Sequence, residues 1–250
     1  MIIDRREKLS VSEFLQTYVK PRVPVILTDA ASRWRAMSEW NMVFFKVHFP
    51  DKKLRIGDRE CPMSEIIDQV MNSTEEAPAP YLKNINIGAE FPELIPYIKP
   101  DIAYTFPNRL ETSFVPRKIL HRGQGRYVQL FIGGAGRVFP ILHWDAPPFQ
   151  TYSTCVYGRK EWIVFPPDQG HLLYINPKSP PLSLVNDVYN PDLKRFPLFA
   201  EAKRISFMQE RGETLFLPHG WWHTAKNLEP TISVASDQLS AETWDPFVNT

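Results

Sequence analysis

Cysteine is scarce. Cys61 and Cys155 are the two in 250 residues, which is no disulfide framework, and neither lies in the C-x-x-C spacing of a thiolate metal site. The chain also lacks an excess of either charge. Its 29 basic and 28 acidic residues leave a formal charge of +1, which gives no strong signal for nucleic acid or a membrane surface as partner. No apolar run approaches the length of a membrane span, and the opening Met-Ile-Ile-Asp-Arg-Arg-Glu lacks the apolar centre of a secretory signal. These absences lead to the expectation of a soluble, cytoplasmic protein with reduced thiols, the nucleus left open. Proline, by contrast, is abundant: 24 residues, about double average usage. With plentiful aromatics, it points to many short strands joined by rigid loops rather than to a helical bundle. The length fits a single domain, 1–250.

The first part, 1–125, reads as a mixed α/β flank. Ser10 and Glu13 have the spacing of a capping box, and Phe14, Leu15, Tyr18 and Val19 then share one face of a short helix that Pro21 ends. Residues 23–27 are β-rich, with Pro24 suggesting an edge strand. Helical patterns follow at 38–47 and 64–71. The polar, proline-containing stretch 72–80 reads as a mobile loop before a strand opened by Tyr81 and Leu82.

From about residue 126 to 240 the texture changes to strands and tight turns. Strands are expected at 127–132, 151–157, 160–165, 205–208, 214–217 and 231–235. Gly158-Arg159 reads as the turn between the second and third of these, and 210–213 as the turn of another hairpin. The glycines at 133–136 read as a turn, since no helix pattern or phosphate-binding Lys-Ser/Thr follows them. The long polar loop 175–197 is of the kind that covers a site. Together these imply a mainly β core of roughly eight strands closed as a double-sheet jelly roll.

The chemistry centres on Val-Phe-Pro-Ile-Leu-His-Trp-Asp at 138–145. An apolar, β-prone run ends in His143 and Asp145, and on an extended strand residues two apart point to one face. Trp144 would then point away. A third ligand is available in Pro218-His219-Gly220-Trp221-Trp222-His223, where the residues alone leave His219 and His223 as competitors. Two histidines and a carboxylate are the ligand set of non-haem Fe(II) oxygenases. His48, His121 and His171 have no carboxylate at ligand spacing and read as ordinary polar residues.

Three stretches carry a resemblance. Tyr157-Gly158-Arg159-Lys160-Glu161-Trp162-Ile163-Val164-Phe165-Pro166-Pro167 resembles the segment after the iron motif in JmjC-domain 2-oxoglutarate oxygenases. The run from Gly212 to His223 resembles the segment bearing their last iron ligand, and Asn227 to Val234 continues the likeness. It spans about 126–237, and is nearest to the small JmjC protein hydroxylases. What it implies is a double-stranded β-helix of the cupin type and Fe(II) on His143, Asp145 and His223, with His219 left as a turn residue. It also implies 2-oxoglutarate as cosubstrate, its far carboxylate met by Lys160 and Tyr81 with Ser153 nearby. Three positions depart from the family pattern: Pro140 and Ala235 remove hydroxyl donors, and Asp237 adds an acid near a dianionic ligand, which should weaken its binding.

The function implied is hydroxylation of a peptide or protein side chain with release of succinate and carbon dioxide. The competing readings are demethylation of N-methyl groups, oxidation of a tRNA base or small metabolite, and a non-catalytic cupin-like metal-binding or interaction module. Trp144, Tyr152, Trp221 and Trp222 cluster around the motif and either wall the site or fill the core.

Overall fold

The structure, a computed structural model, describes residues 2–105, 108–111 and 128–249; His121 and Tyr127 lie outside them. Among the described residues twelve strands follow one another: β1 (Asp4–Arg6), β2 (Val25–Leu27), β3 (Lys53–Ile56), β4 (Arg59–Pro62), β5 (Tyr81–Asn86), β6 (Val128–Gly133), β7 (Gln150–Tyr157), β8 (Lys160–Phe165), β9 (Ile205–Gln209), β10 (Thr214–Leu217), β11 (Trp222–Asn227) and β12 (Thr231–Gln238). Seven form a large sheet in the order β1-β2-β10-β7-β12-β6-β5, and three a small one, β11-β8-β9. The result is mainly β, a cupin-type jelly roll.

Strand alternation sorts the side chains of the large sheet into two sets. On one face Leu130, Ile132, Tyr152, Val156, Ile232 and Val234 join a hydrophobic core shared with the N-terminal helices. Those helices are short, and packing rather than length holds them. Ser10 and Glu13 form the expected capping box, and Phe14, Tyr18 and Val19 are buried behind it. The helix Met63–Met71 presents Met63, Ile66, Ile67 and Val70 at spacings of three and four, all fully buried. Each such side chain contributes about 1.5–3 kcal/mol. The other face of the sheet carries Gln129, Phe131, Thr151, Ser153, Ala235 and Asp237, which line an internal cavity.

Several local expectations change. The segments 151–157 and 160–165 are strands, yet they do not pair as a hairpin. β7 pairs with β10 and β12, whereas β8 pairs with β9 and β11. The turn between them carries the chain from one sheet to the other. Gly158 makes it possible: its φ is +74°, and a Cβ there would lie 2.3 Å from the Pro230 carbonyl oxygen. β9 and β10 likewise belong to different sheets. β2 is not an edge, because β1 pairs with it in parallel and Pro24 lies just before it. Residues 138–145 form no regular strand; isolated bridges at Val138 and His143 attach them to the small sheet.

Of the two loops expected at the site, 175–197 runs beside it, Leu182 bridging His143 and the Pro181 carbonyl accepting from the Trp144 amide, whereas 72–80 is packed elsewhere. Loop 72–80 docks on the glycine turn, where Ser73 Oγ accepts from the Ala135 amide at 2.8 Å. Loop 175–197 buries Val185, Val188 and Phe196 against Leu142, Ile163, Phe165 and Trp222. Neither contributes a side chain to the lining of the cavity. No helix among the described residues is long and apolar enough to cross a membrane.

Candidate metal centre

His143 is brought to β11 by the backbone, not by a turn of its own. It forms an isolated antiparallel bridge with His223 and another with Leu182. The imidazoles of His143 and His223 consequently stand side by side, ring centroids 4.3 Å apart. Asp145, two residues on, completes the group, with its Oδ1 3.7 Å from His143 Nε2 and 3.8 Å from His223 Nε2. One donor atom from each of the three lies within 4.8 Å of the others.

Hydrogen bonds fix which atoms face inward. His143 Nδ1 lies 3.0 Å from the Ile141 carbonyl and His223 Nδ1 lies 3.0 Å from the Trp221 carbonyl. A carbonyl can only accept, so each Nδ1 carries a proton and Nε2 is the nitrogen each ring turns toward the cavity. Burial, and then the neighbouring His223, push the His143 pKa down to about 4, so this ring is neutral at physiological pH. Burial works to raise Asp145, but His223, His143 and the hydrogen bond from Thr151 outweigh it, and the carboxyl is held below its ordinary value. Two imidazoles and an ionised carboxylate on one side of a cavity fit a divalent transition ion such as Fe(II).

Thr151 Oγ1 lies 2.7 Å from Asp145 Oδ2 and 3.0 Å from Asp237 Oδ1. A hydroxyl has one proton to donate, so only one carboxyl can receive it. Burial, and then Asp145, push Asp237 up to about 8. Asp237 is therefore protonated at neutral pH and donates to Thr151, which donates to the ionised Asp145. The pair is arranged so that Oδ2 of Asp145 is occupied and Oδ1 faces the two histidines.

Deeper in the cavity, Lys160 opens β8 with only 3% of its surface exposed. Its Nζ donates to the Tyr81 hydroxyl at 3.3 Å and lies 5.7–6.0 Å from the ring centres of Tyr81, Phe131 and Trp162. Among the described residues no carboxylate pairs with it. A buried ammonium without an anion is costly, and an anionic ligand would relieve it. Tyr81 reaches Lys160 because its cross-strand partner is Gly133, where a Cβ would lie 2.6 Å from the Tyr81 ring.

A family model described as a cupin-like domain matches residues 48–236. The chain belongs to the cupin-like, JmjC-domain family. Among proteins similar to this cupin-like chain is the arginine-specific demethylase JMJ20 of Arabidopsis thaliana, 28% identical over 94% of this chain and 56% of that protein. The bifunctional arginine demethylase and lysyl-hydroxylase psr-1 of Caenorhabditis elegans is 25% identical over 94% of this chain and 60% of its own length. Human JmjC domain-containing protein 8 is 26% identical over 94% of this chain and 82% of its own. The chain thus spans about half the length of the first of these relatives.

The JmjC-type cavity brings together His143, Asp145, His223, Lys160, Tyr81 and Ser153, all named by the sequence, along with Ala235 and Asp237. His219 stays apart, its ring set edge-on to Trp144 at 5.4 Å. Pro140 is not a lining residue. The four aromatics flanking the motif do not wall the cavity either. Tyr152 and Trp222 are fully buried in the core, Trp221 Nε1 donates to the Arg22 carbonyl, and Trp144 faces His219. The walls are Phe131, Phe139 and Trp162. These, with Gln129, Thr151 and Asn84, went unread in the sequence. A period-two signal would have found most of them: Gln129 and Phe131, Thr151 and Ser153, Lys160 and Trp162, and Ala235 and Asp237 are each two apart on one strand.

Proposed function

We propose that this chain is an Fe(II)- and 2-oxoglutarate-dependent oxygenase that hydroxylates a peptide or protein side chain. The observation that carries the reading is one cavity holding both a three-donor cluster and, on the same walls, a buried lysine with no protein anion. His143, Asp145 and His223 would hold the iron. Lys160 and Tyr81 would hold the far carboxylate of 2-oxoglutarate, with Ser153 beside it.

When bound, iron and 2-oxoglutarate supply the oxidation: dioxygen is consumed, the oxo acid becomes succinate and carbon dioxide, and one oxygen atom passes to the substrate. The chain's own residues supply placement and exclusion. The Nδ1 bonds of both histidines fix their rings, so Nε2 is presented without rotation. Thr151 holds Asp145 so that one oxygen remains for the metal. Phe131, Phe139 and Trp162 keep water from the walls between metal and lysine. Asp237, whose pKa burial and then Asp145 push up, shares the Thr151 hydroxyl with Asp145 beside the cluster.

A second reading shares the same chemistry. Oxygen inserted into an N-methyl group ends in loss of that carbon as formaldehyde, and two of the relatives above carry arginine demethylase in their names. The test is succinate formation that requires Fe(II), followed by mass measurement on peptides. A gain of one oxygen supports hydroxylation, loss of a methyl supports demethylation, and no succinate at all supports a non-catalytic cupin-like module.

A further inference from the structure

β5 does not run straight past the cavity. Its register against β6 shifts between Leu82 and Ile85, and Asn84 sits at a φ of +57° within the shift. Bulges of this kind re-aim side chains. Leu82 and Ile85 pack on the helical side of the sheet, whereas Tyr81 and Asn84 line the cavity. Lys83 lies between these two lining residues. Its Nζ is 5.1 Å from the ring centre of Phe139, and that ring stacks on His143 with centroids 4.9 Å apart. One aromatic ring therefore separates a lysine ammonium from the metal cluster.

Two residues before Phe139 stands a second cation, Arg137, whose Nε is buried without a hydrogen-bond partner. Neither Lys83 nor Arg137 pairs with a carboxylate among the described residues. The acid docked on this turn, Glu75, is engaged by Lys226. The two cations also act on one another: burial, and then Arg137, lower the Lys83 pKa. Like charges left together and half-buried are unfavourable, and an anion between them would offset this.

We propose that Lys83 and Arg137 form a subsite for an acidic side chain of the substrate, next to the residue that is oxidised. The inference rests on the oxygenase reading for the identity of the reacting residue, and on geometry for the charge. It makes the substrate class a peptide with aspartate or glutamate flanking its target. On β5 itself the residues flanking Lys83, Leu82 and Asn84, are neutral, and the strand carries no acid to compete for the cations.

Binding and turnover separate the two readings. Two fluorescent pools of short random peptides would be compared at low salt, one carrying aspartate and glutamate and its match carrying asparagine and glutamine. The wild-type chain should prefer the acidic pool by roughly two- to five-fold, the scale of one partly exposed charge pair. Lys83→Glu should remove or invert the preference, and Lys83→Arg should keep it. Equal binding of the pools, no binding of either, or a preference untouched by Lys83→Glu would overturn the subsite. Mass analysis of the same pools judges the chemistry alone: acidic preference without oxygen gain leaves the subsite standing and removes the oxygenase reading.

Discussion

His143 and His223 are main-chain partners: the amide of His143 donates to the carbonyl of His223 at 3.2 Å, and the amide of His223 returns the bond at 2.7 Å. Residues exchanging both bonds sit directly opposite each other in an antiparallel pair and present their side chains to the same face. The spacing of the two rings is thus set by backbone hydrogen bonds, before any metal arrives. Asp145 reaches the same face because it lies two residues beyond His143.

That arrangement separates the two histidines near the second motif. His223→Ala should abolish Fe(II) binding, with a loss well beyond the roughly 100-fold that disturbing a ligand's supporting partner can cause. His219→Ala should retain binding within a few-fold. Calorimetry with Fe(II) under anaerobic conditions, or with Mn(II) as a stand-in, checks both, and the opposite outcome would exchange their roles.

For Lys160 the expected effect falls on the cosubstrate alone. Removing one partner of a buried charge pair costs about 2–5 kcal/mol, so Lys160→Ala should raise the 2-oxoglutarate requirement roughly thirty-fold or more. Metal affinity should be unchanged. An unaltered requirement would mean that this buried lysine serves the fold and not the cosubstrate.

Asp237 predicts a pH dependence in the metal-free protein. An acid whose pKa is raised on folding, here to about 8, binds more protons folded than unfolded. Its sign is therefore negative: stability falls as pH rises from its unfolded value near 4 toward 8. Asp237→Asn should flatten that limb of the profile and raise the relative Tm at pH 8. Thermal unfolding of both proteins from pH 5 to pH 9 tests this; identical profiles would show that Asp237 is ionised in the fold.

Gly133 offers a test that removes no polar group from the chain. A Cβ at this position would meet Asn227 Nδ2 at 2.4 Å and the Tyr81 ring at 2.6 Å, closer than side chains sit. Gly133→Ala should displace Tyr81 from Lys160, destabilise the chain by about 1–3 kcal/mol, and weaken 2-oxoglutarate more than iron. Equal loss of both ligands would point to general damage to the sheet.

Local patterns in the sequence carried much of this. The His143-x-Asp145 spacing, the Trp-Trp-His sequence ending at His223, and Lys160 after Gly158 all name residues that the fold gathers into one cavity. The capping box at Ser10 and Glu13 was equally legible, because its partners are three residues apart. Pairings decided over long distances were not. A short turn at Gly158 suggests a hairpin, and only the other strands of the two sheets show that β7 and β8 part company. Residues 138–142 are β-prone, yet in the closed barrel they meet β11 only at isolated bridges. Thr151 was missed for the same reason. Nothing near it in sequence shows that Asp237, 86 residues away, shares its hydroxyl.

The bond between Lys160 and Tyr81 spans 79 positions of chain, and the bridge between His143 and His223 spans 80, by subtraction of their numbers. Contacts of such separation must wait for large loops to close, so they belong to the late part of folding. A nascent or partly unfolded chain would hold these four polar groups apart, unable to concentrate a redox-active metal beside its own side chains. The two imidazoles and the lysine–tyrosine pair of this cavity come together only once the two sheets are complete.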